Sequence, residues 1–199
     1  EAYLAFQRRW RELRRLTSRE LGSHMSEIVL SGNIRKEEEA RKTEEIRAEF
    51  EGMSTEEIRE LVLEFPLTKG LNREHVDALM AIGKRMAFNK DEVLIQQGST
   101  EHNLFFILRG RAQIIMSNHA DEAVGMAEAG AGETLGEVSL LIDAPHSASV
   151  IALEPMVVIR ISRLALGSLM ASDPELAARL WHRLAQLLGD RLRDSNIRY

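Results

Sequence analysis

The sequence contains no cysteine at all. Disulfides, thiolate metal sites and a cysteine nucleophile are thereby excluded, and an intracellular, cytoplasmic setting is the simplest expectation. No apolar run approaches the roughly 20 residues that span a bilayer, so no membrane span is expected. Positive charge is in the minority, with 26 Lys and Arg against 31 Asp and Glu and a net charge of −5. That balance argues against a broad nucleic-acid-binding surface. Low-complexity segments and internal repeats are missing too. His24, His75, His102, His119 and His182 lack metal-ligand spacing, so a surface or capping role is expected for each and no metal is expected. What remains is 44% hydrophobic and 29% charged over 199 residues, the composition of one globular domain with helical appendages.

The chain has a seam. Gly22-Ser23-His24-Met25 is the string left where an expression vector's cleavable tag meets a start codon, so residues 22–25 read as a junction with Met25 as native start. Residues 1–21 before it resemble neither a tag nor a protease site. Tyr3, Phe6, Trp10 and Leu13 recur at the three-and-four spacing of one apolar helical stripe, and Arg8, Arg9, Arg11, Arg14, Arg15 and Arg19 occupy the rest. Residues 1–24 hold six basic and three acidic side chains, against 20 basic and 28 acidic after them. The opposite signs favour docking, so residues 1–21 read as a partner's amphipathic helix, tethered to raise its effective concentration and anchored by Tyr3, Phe6, Trp10 and Leu13.

Residues 26–53 are rich in strong helix formers with few apolar positions, which predicts a solvated connector helix. A domain is expected over 54–199. Ser54 and Glu57 have capping-box spacing ahead of Ile58, Leu61, Val62 and Phe65, and Asn72 can cap a helix that buries Val76, Leu79, Met80 and Ile82. From Ala87 to Ser162 the pattern changes to short apolar runs punctuated by glycine at intervals of about 8 to 12 residues, the spacing of a β-sandwich or barrel. A double-sheet jelly roll with flanking helices, mainly β within an α+β class, fits best. Asp173 and Pro174 then open a long helix with Leu176, Leu180, Leu184, Leu187 and Leu188 on one face. Core packing plus a homodimer seam through Leu180, Leu184, Leu187 and Leu188 is the expectation for that face.

The stretch "AGAGETLGEVSLL", Ala129 to Leu141, carries the chemistry. Gly130, Gly132 and Gly136 permit positive φ and close approach, and the amides that open "EVSLL" attract an anion such as phosphate. Glu137 is negative and suits a donor instead, such as a ribose hydroxyl. Its alternative is a carboxylate accepting amides of its own loop. The order of helices, jelly roll, glycine turn with short helix, "P-x-S-A-S-V" and long apolar helix resembles the cyclic nucleotide-binding domain family over about residues 54–193. Gly136, Glu137, Leu140, Leu141, Pro145, Ser147, Ala148, Ser149 and Val150 carry the resemblance, supported by Gly98 and Gly110. It implies a nucleotide site made by Gly136, Glu137, Val138, His146, Ser147 and Ala148, with cAMP or cGMP as ligand and no other cofactor.

This chain departs from the family at His146, where the resemblance implies an arginine. Arginine offers a permanent planar fork, whereas histidine, with an ordinary pKa of about 6.5, is mostly neutral near pH 7. Losing one or two charge-assisted hydrogen bonds of about 1.5–3 kcal/mol each weakens binding about tenfold to several thousandfold. Ser99 and Asn103 also stand where the family often has acidic residues. Three readings stay open: a silent pocket in a non-catalytic signalling adaptor that docks the helix of residues 1–21, a functional cAMP- or cGMP-binding regulatory domain, and a cyclic dinucleotide receptor. The fused helix favours the first. Catalysis is not expected, because His146 and Ser147 are adjacent on an expected strand and face opposite ways, although Asp143 could orient the imidazole. DNA binding is not expected either, since no winged helix-turn-helix follows the long helix.

Overall fold

The structure, a computed structural model, describes residues 37–38, 40–117, 123–142 and 144–197. The helix expected over residues 1–21, the junction at 22–25, His24, His119 and Asp143 lie outside the described residues. The chain divides after Arg41, and the fold is that of the unit that begins at Lys42.

Helix α1 covers 42–52 and is not merely solvated. Thr43, Ile46 and Phe50 are buried, and their three-and-four spacing puts them on one face. Helix α2, Thr55–Leu63, begins with the capping box: Ser54 Oγ accepts from Glu57 N at 3.2 Å, and Glu57 Oε2 accepts from Ser54 N at 2.7 Å. A single 3₁₀ turn, Pro66–Thr68, leads to α3, Arg73–Ile82, where Asn72 Oδ1 accepts from His75 N at 2.8 Å.

Among the described residues eight strands follow: β1 Lys84–Phe88, β2 Val93–Ile95, β3 Asn103–Arg109, β4 Arg111–Ser117, β5 Ala123–Gly130, β6 Thr134–Leu135, β7 Ser149–Ala152 and β8 Met156–Ser162. They form two antiparallel four-stranded sheets, ordered β1-β8-β3-β6 and β2-β7-β4-β5, the two layers of a jelly roll. Strand β3 shows why its sequence, "NLFFILR", is apolar without alternation. Phe105 and Ile107 point into the space between the sheets, while Leu104, Phe106 and Leu108 point the other way, under the helices. Strand β8 splits the same way, with Met156 and Val158 inside and Val157, Ile159 and Ile161 outside. Phe106 is fully buried and meets Phe65 edge to face at 5.2 Å between ring centroids.

Helix α4 is the short Glu137–Leu141, α5 is Arg163–Ser172, and α6 is Pro174–Ile197, whose start is capped by Asp173 Oδ1 accepting from Leu176 N at 3.0 Å. Leu176, Leu180 and Leu184 of α6 are buried in the helical layer, each contributing about 1.5–3 kcal/mol. Arg179 donates to Gly70 O at 2.9 Å, and Arg183 donates twice to Pro66 O, at 3.0 and 2.7 Å. The expected dimer seam therefore needs correction: Leu180 and Leu184 are consumed by this chain's own core, and Leu187 packs against it. Among the described residues, the exposed large apolar side chains of α6 are Trp181, 43% exposed, and Leu192, 63% exposed.

His75 is a second correction. It is buried, not superficial, with Nε2 3.6 Å from Asp173 Oδ2, so it joins α3 to the junction of α5 and α6. Among the described residues no helix is long and apolar enough to cross a membrane, and no cluster of acidic and histidine side chains could hold a metal ion.

Candidate functional site

Strand β6 is followed by Gly136, which has φ +84° and is the N-cap of α4. Only glycine fits there, because a Cβ would overlap the backbone carbonyl oxygen of Asn103, the first residue of β3. Gly132 also has positive φ, as expected; Gly130 does not, being the last residue of β5. The backbone from Ala144 to Ala148 then runs outside any strand until β7 begins at Ser149. His146 and Ser147 are thus on a loop and not on the expected strand, yet they still diverge: His146 is buried and Ser147 exposed.

The turn, α4 and this loop enclose a cavity of about 200 Å³. Gly136, Glu137, Val138, His146, Ser147 and Ala148 all line it, so the structure gathers the six residues named from sequence around one space. A wider, shallower cleft of about 840 Å³ is lined in part by Glu101, His102 and Asn103, and none of the six lines it.

His146 is tied down on three sides. Its N–H donates to Ser99 O at 3.0 Å, its carbonyl accepts from Gly98 N at 2.8 Å, and ring Nε2 lies 2.9 Å from Glu101 O. A carbonyl oxygen only accepts, so Nε2 carries the hydrogen. Nδ1, which makes no hydrogen bond among the described residues, is then a bare lone pair in the neutral ring and a donor only in the imidazolium. The half-buried His102 ring lies 5.9 Å from that of His146, centroid to centroid, and lines the wider cleft, not this cavity.

Glu137 is 3% exposed. Its Oε1 pairs with Nη1 of Arg191, which comes from α6, while Oε2 is buried with no hydrogen-bond partner among the described residues. Arg191 also donates from Nη2 to Thr134 O at 3.1 Å. Burial pushes the Glu137 carboxyl above its ordinary 4.5, with Glu133 adding to the rise and Arg191 and the Glu137 amide opposing it. The folded protein therefore holds this proton more tightly than the unfolded chain. Stability from this group is full below pH 4.5, is lost as pH rises through the raised folded value, and stays lost above it. Glu137→Gln removes that loss, so in urea denaturation the variant gains on the wild type as pH climbs above 4.5. Parallel profiles from pH 4 to 7 would contradict the assignment.

Arg191 was not singled out from sequence. It lies 54 residues beyond Glu137, outside the glycine-turn motif. The available signal was an arginine on the helical face of Leu180, Leu184 and Leu187, where an apolar residue would otherwise continue the stripe.

A sequence model described as the cyclic nucleotide-binding domain matches residues 85–173. A solved cyclic nucleotide-binding domain from Methylobacillus flagellatus KT is 34% identical with a TM-score of 0.62, over 72% of this chain and 80% of that one. The catabolite activator protein of Thermus thermophilus is 28% identical with a TM-score of 0.59, over 67% of this chain and 61% of that one. Pycsar effector protein PaPycTIR of Pseudomonas aeruginosa is 30% identical over 149 residues, which make up 74% of this chain and 45% of that protein. The chain spans about half the length of the curated relatives it matches. The two-layered jelly roll, the glycine-started α4 and the cavity beside Glu137 agree with these likenesses: the chain belongs to the cyclic nucleotide-binding domain family.

Proposed function

We propose that the unit beginning at Lys42 is a non-catalytic regulatory module that senses a cyclic mononucleotide, cAMP or cGMP. One observation carries this reading: Glu137 lines the cavity, and its buried Oε2 has no hydrogen-bond partner among the described residues. A buried acceptor left unpaired costs about 1–3 kcal/mol, and a ribose hydroxyl donating to Oε2 recovers it. His146 and Ser147, on the same cavity, then face the cyclic phosphate. Relatives that are a Pycsar effector and a cyclic AMP receptor support sensing as the role, and the lack of cysteine supports a cytoplasmic setting.

Thermal shift of the full chain tests the reading, since a ligand at a hundred times its Kd stabilises by about 2.7 kcal/mol. Millimolar cAMP or cGMP raises Tm and linear AMP does not. A rise with a cyclic dinucleotide alone would transfer the site to that class, and no rise with any of them would leave the silent-pocket reading. That last reading includes docking of the helix of residues 1–21 through Tyr3, Phe6, Trp10 and Leu13, for which Trp10→Ala lowers the Tm of the full chain; an unchanged Tm defeats it. A second copy of the chain can meet α6 through Trp181, Leu188 and Leu192, spaced by seven and four as along a coiled-coil seam.

A further inference from the structure

Glu137 and a cyclic phosphate are both negative, and a small cavity cannot hold the two without a cation. His146 offers no fixed charge, because its Nε2 hydrogen is committed to Glu101 O and the ring has no second permanent donor. Among the described residues that line the cavity there is one arginine or lysine, Arg191. It lies outside residues 85–173, the span matched by the family model, on a helix that contributes to the cavity from beyond the jelly roll. Its side chain is 46% exposed, and only two of its five N–H donors are engaged among the described residues, by Glu137 Oε1 and Thr134 O. The guanidinium is thus free to turn without leaving a buried donor unpaired.

We propose that Arg191 supplies the phosphate-binding charge that His146 does not, exchanging its partner from the Glu137 carboxylate to the cyclic phosphate as the nucleotide enters. The proposal rests on the nucleotide-sensing reading above and assigns that site its cation. In the unliganded protein Arg191 neutralises Glu137 and latches α6 to the start of α4. The entering ribose hydroxyl takes over Glu137, releasing a planar fork of donors that suits two phosphate oxygens. Because Arg191 is on α6, the exchange moves the charge that fastens this helix and so couples occupancy of the cavity to the helix's last turns.

Calorimetric titration of the full chain with cAMP tests this in four proteins: wild type, Arg191→Gln, His146→Arg and the double variant. Arg191→Gln is expected to weaken binding by about tenfold or more. In the His146→Arg background the same substitution is expected to cost less than about threefold, because a guanidinium at position 146 already meets the phosphate. An equal loss in both backgrounds would show that Arg191 only shapes the pocket, and no loss in the wild-type background would show that it does not meet the ligand; either result overturns the proposal while the nucleotide-sensing reading stands. If neither wild type nor His146→Arg binds cAMP or cGMP, the reading itself fails and the proposal with it. Hydrogen exchange gives a second measure without ligand: Arg191→Gln speeds exchange over residues 186–197, and unchanged exchange overturns the latch.

Discussion

His146→Arg tightens cAMP binding by about tenfold to a hundredfold at pH 7.5. The wild-type ring holds its Nε2 hydrogen against Glu101 O, so the only nitrogen left for a phosphate oxygen is Nδ1. A neutral imidazole turns a lone pair toward the anion there, and an imidazolium turns a donor. An arginine carries a permanent charge and presents two parallel donors. The substitution has a cost in the empty protein, where His146 is buried: a larger, permanently charged group must be accommodated there, and the ring's bond to Glu101 O is given up. Tm falls without ligand and recovers when cAMP is added. Calorimetry on both proteins, with thermal denaturation in the absence and presence of cAMP, reads these effects. Equal affinities would show that position 146 does not meet the phosphate.

Several features of the site were legible because they are local. The capping box at Ser54 and Glu57, the caps at Asn72 and Asp173, and the glycine turn before Glu137 each follow from residues a few positions apart, and each forms as the spacing requires. What escaped depends on which surfaces meet. Strand β1, Lys84–Phe88, opens with two charged residues and has an apolar run of only three, Met86 to Phe88, as suits an edge strand paired on one side with β8. Thr43, Ile46 and Phe50 are three apolar-facing positions in a strongly charged stretch; their burial follows only once a sheet face is present to cover. The apolar face of α6 was read correctly as helical, but whether it meets its own domain or a second copy is a tertiary fact. The arginines at 179 and 183, anchored on Gly70 and Pro66, settle it for Leu180 and Leu184. Arg191 is the extreme case, since its meaning exists only when the end of α6 lies over Glu137.

Gly136→Ala is expected to destabilise the fold by more than about 4 kcal/mol, whereas Gly132→Ala costs only about 1–2 kcal/mol. Both residues have positive φ, +84° and +89°, so both substitutions force an L side chain into the left-handed region and incur that common penalty. Their surroundings differ. A Cβ at Gly132 meets nothing within 4 Å, while one at Gly136 overlaps Asn103 O and comes within 3.2 Å of its carbonyl carbon. That oxygen cannot rotate away as a flexible side chain would. Asn103 is the first residue of β3 and is paired with Ser162 of β8, so relieving the overlap means prising the turn away from the central strands of its sheet. The turn also carries Glu137. Any shift that accommodates the methyl group moves the carboxylate from Arg191 and from the cavity, so nucleotide binding disappears in Gly136→Ala even under conditions where the protein remains folded. Gly132→Ala, beyond the close contact and outside the lining of the cavity, keeps wild-type binding. Urea denaturation measures the first pair of effects and calorimetry with cAMP the second. Equal stabilities for the two variants would mean that the approach of Gly136 to Asn103 is not what holds Glu137 in place.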